Sequence, residues 1–248
     1  MQAKTFDMYD NKNQAVQEAY AMLTTNILMS DDQEMFKTIA MTSYNPEEGK
    51  TSLAISLAIM MAHSGGKVLL VDADMRKPTA AKRLNKSSLF GLSDYLAENI
   101  EFNDVLSETN ITNLTYCSCG NEHRNPMGLL YSSRFEDLVH KLANDYDIVI
   151  FDTPALSSVV DGAIVASSVD ATLLVVKMGF TTLASLKRIK NQLEKLNVNI
   201  LGVILNRVQK HDYKKYFGSY NYFFNSKRFV ENKKVPKANL PQGDRISL

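Results

Sequence analysis

Apolar residues fall in short blocks along this chain, and the blocks follow two rhythms. Between residues 13 and 30 they recur at steps of three and four, at Ala15, Ala19, Met22, Leu23 and Ile27, which predicts an amphipathic helix. The blocks Thr38–Thr42, Lys67–Asp72, Asp147–Asp152, Ala171–Val176 and Ile200–Leu205 are short, rich in β-branched residues and nearly continuous. That is the pattern of strands buried on both faces. Leu114–Cys117 reads as a further strand. Helical spacing returns over Leu53–Met61, Gly91–Leu96, Ser132–Asn144, with Phe135, Leu138, Val139 and Leu142 on one face, and Thr182–Leu196. Strands that alternate with helices predict βαβ units and a parallel sheet covered on both sides. The expected fold is α/β, a parallel β-sheet sandwiched by helices of the P-loop NTPase kind. Residues 1–208 form the expected domain, and residues 209–248 an appended flexible tail.

The 248 residues are 45% hydrophobic, enough for a sizeable core. No apolar run reaches the length of a membrane span, and the polar first ten residues lack the apolar region of a signal peptide, so a cytoplasmic protein is expected. Cys117 and Cys119 are the only cysteines and read as reduced thiols rather than a metal site. The net charge of +1 is unevenly spread. Residues 209–248 hold nine basic and three acidic side chains, whereas the first 208 residues are slightly acidic. Such an end suits an anionic neighbour or plain solvation.

Ser43-Tyr44-Asn45-Pro46-Glu47-Glu48-Gly49-Lys50-Thr51-Ser52 lies between a predicted strand and a predicted helix. A loop that ends in Gly-Lys-Thr in that setting binds phosphate through backbone N–H groups at the helix start. The usual first glycine is replaced by Tyr44. Pro46, Glu47, Glu48, Gly49, Lys50, Thr51 and Ser52 are the candidate nucleotide-binding residues. Lys50 supplies charge to the phosphates, and the Thr51 hydroxyl can reach Mg²⁺. Asp72, Asp74 and Asp152 fall at or just after strand ends, where open sheets bind ligands. Carboxylates beside a triphosphate need a cation between them, and Mg²⁺ is the natural one. One acid of the Asp72/Asp74 pair can order the metal shell, and the other can accept a proton from an incoming hydroxyl. Arg76 can neutralise phosphate or pair with a structural acid. Asn206 and Arg207 end the last strand; an amide there suits an adenine edge and a guanidinium can stack on the base, or Asn206 simply forms the turn.

Together these residues resemble the bacterial tyrosine kinases of capsule and exopolysaccharide biosynthesis, relatives of the MinD/ParA ATPases. The resemblance covers about residues 13–222. It rests on Ser43–Ser52 as Walker A, Leu69–Pro78 as Walker A′ and Ile148–Pro154 as Walker B. It implies ATP/ADP and Mg²⁺ as ligands, Thr51, Asp74 and Asp152 around the metal, and Lys50, Asp72, Asp74 and Asp152 as the catalytic set, with Asp72 as base. Tyr213, Tyr216, Tyr220 and Tyr222 crowd the tail, and the family autophosphorylates in trans on such clusters. The implied partners are a membrane-anchored activator of the chain-length-determinant type, further copies of the chain in a homo-oligomer, and a tyrosine phosphatase, with no nucleic acid. Recruitment to the inner face of the membrane would run through that activator. Family members carry Glu-x-x-Arg-x-x-Arg on the first helix for ring assembly; here Glu18 is followed by Ala21 and Thr24. Two other readings stay open at this point. A MinD/ParA-type switch would hydrolyse ATP and ignore the tail tyrosines, although no lysine precedes Lys50 in the loop. A scaffold would bind nucleotide weakly, although it has no need for Lys50, Thr51 and three aspartates together.

Overall fold

The computed structural model describes residues 5–29, 36–76 and 90–209. The chain divides into two units, Met1–Val208 and Gln209–Leu248, and the architecture that follows is that of the first. The tyrosines at 213, 216, 220 and 222, and Lys77 and Pro78 of the Walker A′ stretch, lie outside the described residues.

Eight strands form one sheet. They are β1 (Thr5–Phe6), β2 (Thr38–Ser43), β3 (Val68–Asp72), β4 (Leu106–Thr109), β5 (Leu114–Cys117), β6 (Ile148–Asp152), β7 (Ala171–Lys177) and β8 (Ile200–Asn206). Their spatial order is β1-β4-β5-β3-β6-β2-β7-β8. The described helices are α1 (Gln14–Leu28), α2 (Lys50–His63), α3 (Leu92–Leu96), α4 (Phe102–Val105), α5 (Pro126–Leu130), α6 (Ser133–Asp145), α7 (Asp161–Ser167) and α8 (Leu183–Glu194). Strands β2, β3 and β6 are buried along their whole length, as their continuous apolar composition predicts.

The sheet departs from the all-parallel expectation at one margin. β4 runs antiparallel to β5, and β1 then pairs parallel to β4. Both strands escape sequence reading because they are too short to show a period: β1 has two residues and β4 has four.

Each face of the sheet carries its own core. On one face α2 packs Leu53, Leu57, Ala58 and Met61 against Ile39, Met41, Leu70 and Ile150. On the other, Phe135, Leu138 and Leu142 of α6 and Ile189 and Leu193 of α8 cover Leu69, Val71, Val149 and Phe151. Burial of this apolar surface, at roughly 25 cal/mol per Å², is the main force that holds helices to sheet. Helix α1 lies against α2, but on a face different from the one its spacing suggests. Tyr20, Leu23 and Ile27 join the core, whereas Met22 is exposed. Thr24 is also buried on this inner face, and Glu18 and Ala21 are exposed.

Candidate active site

The site forms where β2, β3 and β6 end side by side. Asp72 and Asp152 occupy matched positions at the tips of paired β3 and β6, and Met41 of β2 is matched with Asp152 on its other side. The chain reverses its lateral direction here, because β2 connects through α2 to β3 across the intervening β6. Open α/β sheets bind ligands in the crevice at such a point.

Beyond Ser43 the chain wraps tightly before it enters α2. Ser43 Oγ donates to the Asn45 carbonyl at 2.7 Å, and Glu47 adopts a positive φ of 63°. Gly49 has φ 95° and serves as the N-cap of α2, whose first residue is Lys50. A Cβ at position 49 would lie 2.2 Å from Asn206 Nδ2, so both conformation and space require glycine. The first N–H groups of α2 have no helical acceptor and face the cleft that an anion would fill.

A cleft of about 560 Å³ opens over these strand tips. Pro46, Glu47, Gly49, Lys50, Thr51 and Ser52 line it from the loop, Asp74 and Arg76 from the segment after β3, and Arg207 from the end of β8. The opposite wall is Pro154, Ala155, Ser158 and Val159, which follow β6. Hydrogen bonds from Leu156 N–H to the Ser43 carbonyl and from Ser157 N–H to the Tyr44 carbonyl, both 2.9 Å, tie that wall to the loop.

Two predicted nucleotide-binding residues have internal duties. Glu48 is fully buried; its carboxylate accepts hydrogen bonds from the Asn45 backbone N–H and side chain and from the Thr181 hydroxyl. Its side chain thus braces the loop from beneath rather than lining the cleft. Asn206 donates from Nδ2 to the Glu48 carbonyl at 2.8 Å and accepts the Arg207 N–H at Oδ1, also at 2.8 Å. Each end of the amide is engaged once, which leaves one N–H and one lone pair over.

The carboxylates sit at different depths. Asp74 lines the cleft, whereas Asp72 (4% exposed) and Asp152 lie behind its surface. Asp72 Oδ1 accepts the Asp74 N–H at 3.1 Å, and Asp72 Oδ2 is buried with no hydrogen-bond partner of ordinary geometry among the described residues. Burial, followed by repulsion from Asp152, pushes the Asp72 carboxyl well above its ordinary value of 3.8, and a weak interaction with the Cys119 thiol opposes this only slightly. A buried oxygen lacking a donor, beside a second acid, is an environment that a cation would relieve. Mg²⁺ fits these residues: it takes few protein ligands, and a hydroxyl such as Thr51, water and phosphate oxygens complete its shell.

Of the two sequence readings of Arg76, the structure shows the pairing with a structural acid. It lines the cleft, and it also forms a two-pronged ion pair with Asp161, Nε to Oδ2 at 2.6 Å and Nη2 to Oδ1 at 3.0 Å. Asp161 was missed from the sequence; an acid in the first turn of a short helix was the available signal. Cys117 and Cys119 are buried, and burial drives both thiol pKa values upward.

Comparison with known proteins agrees with this arrangement. Residues 36–204 match the family described as an AAA domain. The tyrosine-protein kinase CpsD of Streptococcus pneumoniae serotype 4 is 35% identical over 193 residues, which span 77% of this chain and 84% of that protein. The kinase domain of Escherichia coli tyrosine kinase ETK superposes with a TM-score of 0.76 at 31% identity, covering 84% of this chain and 89% of that one. The chimerical protein CapA2B2 has the same TM-score at 29% identity, covering 84% and 94%. A phosphate loop, acids on adjoining strand tips and these relatives lead to one assignment: the chain belongs to the bacterial tyrosine kinase family.

Proposed function

We infer that this chain is an ATP-dependent protein-tyrosine kinase that serves capsular or exopolysaccharide synthesis. The observation that carries the reading is Lys50 and Thr51 at the start of α2, facing the same cleft as Asp74 with Asp72 and Asp152 behind it, in a chain of this family.

Each residue has a chemical task. Lys50 and the N–H groups at the head of α2 bind the β- and γ-phosphates and keep them in line for transfer. Thr51, Asp74 and Asp152 would hold Mg²⁺, which would supply positive charge against the phosphates. Transfer forms a bond from the tyrosine phenol oxygen to the γ-phosphorus and breaks the bond from that phosphorus to the bridging oxygen. ADP departs, and the phenol proton passes to Asp72. Arg207 flanks the base-binding end of the cleft.

Tyr213, Tyr216, Tyr220 and Tyr222 are the proposed acceptors, presented in trans by another copy. A membrane-anchored activator recruits the chain to the inner membrane face, and a tyrosine phosphatase reverses the modification. No described helix is long and apolar enough to cross a membrane.

Mass spectrometry after incubation with Mg-ATP and the activator's cytoplasmic segment tests the reading. Phosphate on the tail tyrosines, absent in Lys50→Met and Asp72→Ala, is expected. ATP hydrolysis without any phosphotyrosine would replace the kinase with a switch ATPase.

A further inference from the structure

We propose that Asp161 is a positioning residue that holds the Arg76 guanidinium at the cleft wall, where it stabilises the phosphoryl group in transfer; this rests on the kinase reading above.

The pair joins residues 85 positions apart. Asp161 opens α7 and is only 1% exposed, whereas the Arg76 side chain is 41% exposed and lines the cleft beside Lys50, Thr51 and Asp74. The acid cannot follow the arginine outward. Next to it, a Cβ on Gly162 would come within 2.7 Å of the Pro154 carbonyl, so the head of α7 is pressed against the cleft wall. Asp161 is therefore a fixed anchor.

The two bonds use one edge of the guanidinium, Nε and Nη2. Nη1 carries two further N–H groups with no partner among the described residues. A purely structural staple would consume its donors in a buried setting. Here a planar cation is locked along one edge and keeps a second pair of donors at a phosphate-binding cleft. A donor fixed before the reaction costs no reorganisation as charge shifts among the phosphoryl oxygens. Lysine could supply the charge, but it cannot bind Asp161 through two parallel bonds and still aim a separate donor.

Arg76→Lys and Asp161→Asn test the proposal in the full-length protein with its activator segment. Three quantities are measured for each: kcat for phosphotransfer, the affinity for Mg-ADP, and the affinity for Mg-ADP with aluminium fluoride, which mimics the phosphoryl group midway. Arg76→Lys is expected to lower kcat by roughly 10²–10³-fold. The aluminium fluoride complex should weaken in parallel, with Mg-ADP affinity unchanged within about threefold. Asp161→Asn should show the same pattern at about tenfold, because its amide still accepts one bond from Arg76. Should Asp161→Asn fail to fold, Asp161→Glu takes its place, with the carboxylate displaced by one carbon. Wild-type kcat in Arg76→Lys, or equal losses of Mg-ADP and the aluminium fluoride complex, would overturn the proposal. If the wild type hydrolyses ATP but makes no phosphotyrosine, the kinase reading fails separately, and the Arg76 comparison is still read from hydrolysis and binding.

Discussion

Asn206 at the end of β8 holds the carbonyl of Glu48 at 2.8 Å, and so the last strand of the sheet fixes the underside of the phosphate loop. Asn206→Ala removes that donor and leaves the Glu48 carbonyl without its amide partner. Loss of one such bond costs about 1–3 kcal/mol where the acceptor stays dry. Calorimetry is expected to show Mg-ADP binding weakened by roughly tenfold, the equivalent of 1.4 kcal/mol, and the thermal midpoint should fall by about 2–4 °C for each kcal/mol of stability lost.

Gly49→Ala should be worse than its size suggests. The new methyl would meet Asn206 Nδ2 at 2.2 Å, and the backbone would keep a φ of 95°. Left-handed conformation alone costs a residue with a Cβ about 1–2 kcal/mol. Asn206→Ala in the same chain removes the clash but not the backbone strain, so urea denaturation should report a non-additive pair.

Asp72 makes stability depend on pH in a definite direction. The folded chain holds its proton above the ordinary value of 3.8, whereas the unfolded chain releases it near that value. The fold thus binds more protons in the intervening window, and stability falls as pH rises through it. Above the folded pKa the penalty is complete. Asp72→Asn removes it, so the thermal midpoint in EDTA should exceed that of wild type at neutral pH and match it below pH 3.8. Mg-ADP should shrink the difference at neutral pH, since a cation favours the ionised acid.

Tyr116 stacks on Phe6 with ring centroids 4.3 Å apart, and its buried hydroxyl has no partner among the described residues. Tyr116→Phe keeps the stack and removes an unsatisfied polar atom. Its thermal midpoint should equal or exceed that of wild type.

Sequence alone revealed the parts of the site that one short segment specifies. Gly49-Lys50-Thr51 carries its own context, and Asp72 and Asp152 stand out because each ends an apolar run. The parallel sheet was legible, but its β1–β4 margin was not, since those two strands carry no periodic signal. The face of α1 was misread because Ala19 and Met22 weigh as apolar in a pattern, whereas the packed side is Tyr20, Leu23, Thr24 and Ile27. Hidden too were the relationships across long stretches of chain: Glu48 with Thr181, Asn206 with the loop, and Arg76 with Asp161. Each needs two polar residues whose meeting only the packed strands decide.

The inward turn of Thr24 makes the missing ring motif a one-sided repair. A guanidinium grafted at position 21 would extend into water and leave α1 undisturbed. At position 24, which is buried, the same graft would drive a long charged chain among packed side chains. Positions 21 and 24 differ in burial, so putting both letters back would not give two equivalent surface groups.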